Sequence, residues 1–120
     1  MLINDFYHIV ERLEDRITIQ FNPSHPIYAA HFPSGPITPG ACLVRIAEEL
    51  LGQAMVSITN LKFMQPVLPT DVITFVFAKK KENQYTITIQ NSETIYAYYI
   101  VHVYLHFYDH YDYYNSHKYD

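Results

Sequence analysis

Short segments in which polar and apolar residues alternate account for much of this 120-residue chain. In 16–21 the side chains of Ile17, Ile19 and Phe21 fall on one face, which is the pattern of a strand with one buried face. Residues 85–90 alternate in the same way. Apolar or mixed runs predict four more strands, at 6–14, 56–64, 72–78 and 95–107. If 72–78 lies in the middle of the sheet, we expect it to be buried on both faces, because nearly all of its residues are β-branched or aromatic.

Only one long segment has the periodicity of a helix, at 41–51. Pro39 suits the start of this helix, and Gly52 suits its C-terminal cap. Its polar residues Arg45, Glu48 and Glu49 share one stripe. Most of the remaining circumference is apolar: Leu43, Val44, Ile46, Ala47, Leu50 and Leu51. Such a helix must be covered, so we predict an α+β fold in which a curved antiparallel sheet wraps around one central helix.

Turn-forming residues define the connections between these elements. We predict an extended segment at 25–30, a turn at Lys79–Lys81 and a hairpin turn at 91–93. The elements then form a single domain at 1–107, followed by a polar tail at 108–120 that is rich in Tyr, Asp and His.

Composition and charge exclude several classes of function. The formal net charge is −4 and the eight Lys and Arg residues are scattered, which argues against a nucleic-acid partner. Cys42 is the only cysteine, so no disulfide framework exists, and we expect it to be a small buried residue. No apolar run is long enough to span a membrane, and the N-terminal residues lack signal-peptide character. We therefore predict a soluble protein of the cytoplasm.

No cofactor or metal site is predicted. His102, His106 and His110 are spaced by four residues, which would suit a metal site on a helix. In a strand the same spacing separates neighbouring histidines by roughly 13 Å, too far to share an ion. We predict that they face outward, alternating with the inward-facing side chains of Tyr99, Val101, Val103 and Leu105. His25 lies in a proline-flanked turn, where we expect a structural role.

The candidate chemistry lies in the segment that leads into the helix, His31-Phe32-Pro33-Ser34-Gly35-Pro36-Ile37-Thr38-Pro39-Gly40. Its prolines stiffen the backbone and hold residue 32 in an extended conformation, so that His31 is presented on a rigid arm. Gly40 permits a close approach of another group to the backbone. The helix behind it begins with free N–H groups that can stabilise a developing negative charge.

This segment resembles the signature of the β-hydroxyacyl-acyl-carrier-protein dehydratases, which have the hotdog fold. The signature is His-Phe-Pro, two variable residues, Pro, two more, then Pro-Gly, and 31–40 fits every fixed position. A second stretch, 61–71, resembles the Phe-x-x-Pro-Val-x-Pro-Gly-Asp corner of the family, with Thr70 in place of the glycine. The resemblance extends over roughly 7–107.

Membership of this family implies a homodimer or larger homo-oligomer whose sheets join edge to edge, with the active site at the subunit interface. The resemblance makes His31 the catalytic histidine and the backbone N–H of Gly40 the donor to the thioester carbonyl. Phe32, Pro39, Ala41 and Arg45 are then expected to contact substrate. The implied partner is acyl carrier protein or its phosphopantetheine thioester, and no metal or cofactor takes part.

The sequence departs from the family pattern at the residue that is expected to act as the general acid. The carboxylate expected on the helix is replaced by Arg45, which cannot donate a proton usefully at neutral pH. Glu48 or Glu49, one turn further on, could replace it. A homologous hotdog subunit could supply it instead, or the chain could bind acyl thioesters without dehydrating them. A purely structural Arg45 would form i,i+3 or i,i+4 ion pairs with Glu48 and Glu49.

The prediction is therefore a hydro-lyase that converts 3-hydroxyacyl thioesters on acyl carrier protein to trans-2-enoyl thioesters. Its catalytic residues are His31 and Gly40, with Glu49 or Glu48 as the candidate acid. The alternatives are a non-catalytic or partner-dependent acyl-thioester-binding subunit and an acyl thioesterase.

Overall fold

The computed structural model describes residues 5–29 and 35–104. Its elements in chain order are β1 (Tyr7–Arg12), β2 (Arg16–Phe21), a short 3₁₀ helix (Pro26–Ala29), α1 (Gly40–Leu51), β3 (Met55–Phe63), β4 (Val72–Lys81), β5 (Gln84–Gln90) and β6 (Ile95–Val103). The predicted domain limits stay predictions, and the predicted tail at 108–120 lies outside the described residues.

All six strands form one antiparallel sheet, as predicted, and their order in it is β1-β2-β4-β5-β6-β3. The chain leaves β2, forms α1 and then enters β3 at the opposite edge of the sheet. β4 returns to pair with β2, so that β1 and β3 are the two edge strands. The start of α1, where the sequence places the candidate chemistry, therefore lies in a helix that leads directly into the edge strand β3.

The buried face of the sheet and the apolar face of α1 form a single core. In β2 the side chains of Ile17, Ile19 and Phe21 are all buried, which confirms the predicted alternation. Ile87 and Ile89 in β5 are fully buried and alternate with half-buried polar residues, as predicted. The contributions from α1 are Cys42, Leu43, Ile46, Ala47 and Leu50.

The predicted helix is confirmed and begins one residue earlier than expected, at Gly40. It ends where Gly52 adopts the left-handed conformation (φ 74°) and donates its N–H to the carbonyl of Glu48 at 3.0 Å. The side chains of Arg45 and Glu49 remain exposed, so the wrapping of the helix leaves one polar stripe uncovered. Cys42 is buried, as expected, and burial raises the pKa of its thiol.

Three local predictions are wrong. The segment expected to be extended at 25–30 contains the 3₁₀ helix, in which the backbone N–H of Tyr28 donates to the carbonyl of His25 at 3.0 Å. Lys79–Lys81 is the end of β4, and the turn lies at 82–83. β4 is buried on one face only, and the side chain of Val72 is 43% exposed.

Two histidine predictions can be compared with the structure. The ring Nδ1 of His25 accepts the backbone N–H of Ile27 at 3.1 Å, which confirms a structural role for this residue. In β6 the side chains of Tyr99, Val101 and Val103 are buried and His102 alternates with them, as predicted. This strand ends at Val103, and 105–107 lie outside the described residues.

Candidate active site

The structure describes six of the eight predicted site residues. His31 and Phe32 lie outside the described residues, so their roles stay predictions. The other six lie on α1 or directly before it: Pro39, Gly40, Ala41, Arg45, Glu48 and Glu49.

The first turn of α1 has two backbone N–H groups that lack an acceptor among the described residues. Pro39 is extended (φ −61°, ψ 141°), and its carbonyl accepts the N–H groups of Cys42 at 3.0 Å and Leu43 at 3.2 Å. Within 5–29 and 35–104 nothing accepts a hydrogen bond from the N–H of Gly40 or Ala41. No acidic side chain lies in this turn. The two donors and the positive end of the helix dipole are thus available to an oxygen atom of a ligand.

Gly40 is a glycine because an aromatic ring occupies the position of a side chain. A Cβ atom on Gly40 would lie 2.6 Å from Cζ and 2.8 Å from Cε2 of Phe63, at the end of β3. Gly40 has an ordinary helical conformation, so the nearby ring, and not a positive φ, opposes a larger residue at this position. This confirms the expectation that a group approaches the backbone closely there.

An apolar cavity of about 260 Å³ opens beside this contact. It is lined by the residues that precede and begin the helix, by Leu43 and by the segment after β3: Ile37, Thr38, Gly40, Leu43, Phe63, Met64, Gln65, Pro66 and Val67. Both sequence motifs therefore contribute to one cavity. Ligand pockets for drug-sized molecules are about 300–1,000 Å³, so this volume suits one end of a longer molecule.

Thr38 anchors the segment that leads into the helix. Its backbone N–H donates to the carbonyl of Val67 at 2.7 Å, and its hydroxyl lies 2.7 Å from the hydroxyl of Tyr28. Only 4% of Thr38 is exposed. Burial raises the pKa of Tyr28 to about 12, so its hydroxyl stays protonated at neutral pH. The sequence pattern did not single out Thr38 or Tyr28, and only Thr38 lies within the recognised motif.

The corner after β3 keeps its shape without the glycine of the family pattern. Leu68 donates its N–H to Oδ2 of Asp71 at 2.8 Å, and Asp71 donates its N–H to the carbonyl of Leu68 at 3.0 Å. Among the described residues other than glycine, only Asp5 and Asn60 have positive φ. Thr70 therefore has a backbone conformation that any residue can adopt, and the substitution leaves the corner intact.

Both candidate carboxylates on α1 already accept hydrogen bonds. Glu49 accepts the hydroxyl of Tyr7, in β1, at 2.9 Å through Oε1. Glu48 accepts the backbone N–H of Met55, at the start of β3, at 2.9 Å through Oε2. Burial, followed by the hydrogen bond to Glu49, raises the pKa of Tyr7 to about 12. These bonds tie the last turn of the helix to both edges of the sheet.

The same carboxylates lie far from the two free amides. At a rise of about 1.5 Å per residue, Arg45 is roughly 7.5 Å along the axis from Gly40, and Glu48 and Glu49 are roughly 12 and 13.5 Å away. Arg45 is exposed on the same polar stripe. Within this chain the structure thus brings together Pro39, Gly40 and Ala41 but places Glu48 and Glu49 at the other end of the helix.

Metal-binding clusters and membrane-spanning helices are both absent from the described part of the chain. No three His, Cys, Asp or Glu side chains there lie close enough to hold a metal ion. No helix among these residues has the length and apolar character needed to cross a membrane.

Solved structures with the same architecture are hotdog proteins. A structure of the dehydratase heterocomplex ApeI:P from Xenorhabdus doucetiae matches with a TM-score of 0.65 and 17% identity, over 83% of this chain and 97% of that one. A hypothetical thioesterase with coenzyme A from Streptococcus pneumoniae matches with a TM-score of 0.56 and 10% identity, over 83% of this chain and 88% of that one. A thioesterase from Haemophilus influenzae matches with a TM-score of 0.56 and 17% identity, over 85% of this chain and 80% of that one. These likenesses confirm the hotdog fold.

The sequence defines the family within this fold. The profile of the ApeI-like group, described as ApeI dehydratase, matches residues 10–99. The chain therefore belongs to the ApeI-like dehydratase family, which confirms the resemblance to the hotdog dehydratases. No curated protein is significantly similar to it in sequence.

Proposed function

We propose that this chain binds the carbonyl oxygen of an acyl thioester at the amides of Gly40 and Ala41 and takes part in the dehydration of 3-hydroxyacyl thioesters. The observation that carries the proposal is the pair of N–H donors of Gly40 and Ala41, which have no acceptor among the described residues, with Gly40 in the wall of an apolar cavity. Dehydration passes through an enolate-like transition state, and preorganised amides lower the energy of the developing oxyanion.

The reaction needs a base, an oxyanion site and an acid. The base takes a proton from C2, the hydroxyl on C3 leaves with a proton from the acid, and the products are a trans-2-enoyl thioester and water. We assign the base to His31, because a neutral imidazole has an unperturbed pKa near ~6.5. The motif places His31 nine residues before Gly40 on the proline-rich segment that Thr38 anchors.

We propose that a second subunit supplies the acid. Arg45 occupies the position of the family carboxylate, while Glu48 and Glu49 lie near the opposite end of α1 and already accept hydrogen bonds. The ApeI dehydratase of Xenorhabdus doucetiae forms a heterocomplex, ApeI:P, which supports a partner for a chain of this family. The candidate arrangements are a homodimer, in which Glu48 or Glu49 of the other copy approaches, and an assembly with a homologous hotdog subunit.

The edge strand β3 is the surface at which we expect the second subunit to join. It has no neighbour on its outer side within the described sheet, and it exposes apolar side chains, with Val56 64% and Phe63 49% exposed. An open apolar edge of this kind favours pairing with another strand. Because Phe63 also contacts Gly40, pairing at β3 would bring the second subunit next to the cavity.

The thioester is expected to be carried by phosphopantetheine on acyl carrier protein, in the cytoplasm. A cavity of about 260 Å³ holds the reacting end of such a substrate and leaves the rest of the acyl chain and the carrier outside. The small apolar lining suits an acyl group better than a charged metabolite.

The enoyl product absorbs in the ultraviolet, which provides the test. A 3-hydroxyacyl-pantetheine thioester is incubated with the wild-type protein, with His31→Ala and with His102→Ala as a matched control on β6. We expect His31→Ala to lower the rate by about 10²–10⁴-fold, the usual contribution of an acid–base group, and His102→Ala to change it little. Equal rates for the wild type and His31→Ala would contradict the proposal.

A thioesterase is the second candidate, because amides that hold an enolate oxygen also stabilise the oxyanion formed when water attacks a thioester. The two activities release different products. A thiol-trapping reagent detects free pantetheine, which a thioesterase releases and a dehydratase does not. Release of thiol without enoyl absorbance would favour the thioesterase.

A further inference from the structure

Phe63 is the residue that a Cβ atom on Gly40 would meet first. The ring tip lies 2.6 Å from the position that a Cβ atom on Gly40 would take, so the ring stands beside the residue that carries one of the two N–H donors. It also forms one wall of the cavity. We propose that Phe63 determines the width of the acyl group, so that the site accepts thioesters unbranched at C2 and rejects those with a substituent on that carbon. This inference rests on the proposed function.

The geometry follows from the position of the thioester carbonyl. An oxygen that accepts the N–H of Gly40 lies about 2.9 Å from that nitrogen. C2 is bonded directly to the carbonyl carbon, so it also lies beside Gly40. The ring of Phe63 already contacts the outer side of this residue. A methyl group on C2 that points toward β3 would therefore compete with the ring for the same space.

The cavity has other apolar walls besides Phe63, and two of these belong to the packed core. Leu43 and Val67 are 2% and 1% exposed and belong to the packed core, so neither can move aside without disturbing it. Phe63, by contrast, is 49% exposed. Among these three side chains, it is the one that can be shortened with little effect on the fold.

The test measures binding, so that it does not depend on turnover. Butyryl-pantetheine and 2-methylbutyryl-pantetheine, the latter as both C2 epimers, are titrated by calorimetry into the full chain in its isolated oligomeric state. The variants are Phe63→Ala and Phe63→Leu. The matched control is Leu68→Ala, which removes an apolar side chain of similar exposure, 44%, that does not line the cavity.

One methyl group in a tight pocket changes affinity by about 10–200-fold. We expect the wild type to prefer the unbranched ligand by at least about tenfold. Phe63→Ala should abolish this preference, Phe63→Leu should reduce it, and Leu68→Ala should keep it. A preference that persists in Phe63→Ala, or is absent from the wild type, would overturn the inference.

Turnover is measured separately and distinguishes the two proposals. If binding shows the expected change in preference but 3-hydroxybutyryl-pantetheine yields no enoyl product, the width inference stands and the dehydratase proposal fails. If enoyl product forms but the preference is the same in all variants, the dehydratase proposal stands and the width inference fails. Failure of every variant to bind either ligand would contradict both.

Discussion

The backbone N–H of Thr38 donates a 2.7 Å hydrogen bond to the carbonyl of Val67, which joins the segment before the helix to the corner after β3. Each of the two sequence motifs contributes one of these residues. The apolar cavity lies where they meet. The start of α1 is therefore positioned by a contact that is distant in sequence, and this contact holds Gly40 in the wall of the cavity.

The buried pair formed by Thr38 and Tyr28 gives the first prediction. Thr38→Val keeps the shape of the side chain but leaves the Tyr28 hydroxyl without its partner at 2.7 Å. An unsatisfied buried group lowers the free energy of unfolding by about 1–3 kcal/mol. Urea denaturation should show this loss in Thr38→Val, and part of the loss should be recovered when Tyr28→Phe is added, because the second change removes the orphaned hydroxyl. Strictly additive losses would show that the two hydroxyls do not interact.

The contact between Gly40 and Phe63 predicts a coupling that a double-mutant cycle can measure. Alanine favours a helix over glycine by up to about 1 kcal/mol, so Gly40→Ala should stabilise the protein if the ring were absent. In the wild type a new Cβ would meet Cζ of Phe63 at 2.6 Å, and the ring must move. We therefore expect Gly40→Ala to raise the free energy of unfolding in the Phe63→Ala background and not in the wild type. Equal effects in both backgrounds would contradict the contact.

Much of the architecture could be predicted from the sequence because it depends on local periodicity. The alternation in β2 placed Ile17, Ile19 and Phe21 in the core, and the apolar pattern located α1 to within one residue. The sequence predicts a turn at Lys79–Lys81 because charged side chains at an exposed strand end resemble a loop. The 3₁₀ helix at Pro26–Ala29 is accompanied by a hydrogen bond from the N–H of Ile27 to the ring of His25, which no periodicity predicts.

The site was only partly predictable, for a different reason. The glycine at 40 indicated that something approaches closely, but Phe63 lies 23 residues further along the chain and only the fold shows that its ring is the neighbour. Similarly, sequence spacing put Glu48 and Glu49 on the helix but could not show that Met55 and Tyr7 already donate to them. Contacts between elements, unlike periodicity, depend on tertiary packing.

Tyr99 provides a prediction about stability. Its hydroxyl is buried and, among the described residues, has no hydrogen-bond partner. Tyr99→Phe removes this unsatisfied group and should raise the free energy of unfolding by about 1 kcal/mol. The control is Tyr96→Phe, which removes the hydroxyl that accepts the side-chain amide of Asn91 at 2.7 Å and should lower stability. A loss of stability in Tyr99→Phe would show that its hydroxyl has a partner in solution.

Alkaline pH should destabilise the fold. The pKa values of Tyr7 and Tyr28 are raised from 10.0 to about 12, chiefly by burial, so the folded state holds their protons more tightly than the unfolded state does. Their contribution is complete below pH 10 and is lost as the pH rises toward 12. Urea denaturation between pH 9 and pH 12 should show a falling free energy of unfolding, less steep in Tyr28→Phe. The same slope in both proteins would contradict a raised pKa at Tyr28.

Arg45 tests whether the missing carboxylate limits catalysis. If the chain lacks only an acid, Arg45→Glu should raise enoyl formation by about 10²–10⁴-fold, since it restores an acid–base group at the family position. Arg45→Gln removes the same charge without supplying an acid and should give no increase. Absence of any gain in Arg45→Glu, while the binding of butyryl-pantetheine is unchanged, would indicate that position 45 does not limit catalysis and that the acid comes from another residue of a second copy or from a homologous subunit.

The central claim is that the amides of Gly40 and Ala41 hold the thioester carbonyl, and amide chemical shifts measure this contact directly. In a ¹⁵N-labelled sample titrated with butyryl-pantetheine, we predict that both amide protons move downfield as they donate to the ligand. The amides of Glu48 and Glu49, at the other end of α1, should move little. If the Gly40 and Ala41 resonances stay in place at ligand concentrations that shift others, the thioester does not bind at the start of the helix and the account is wrong.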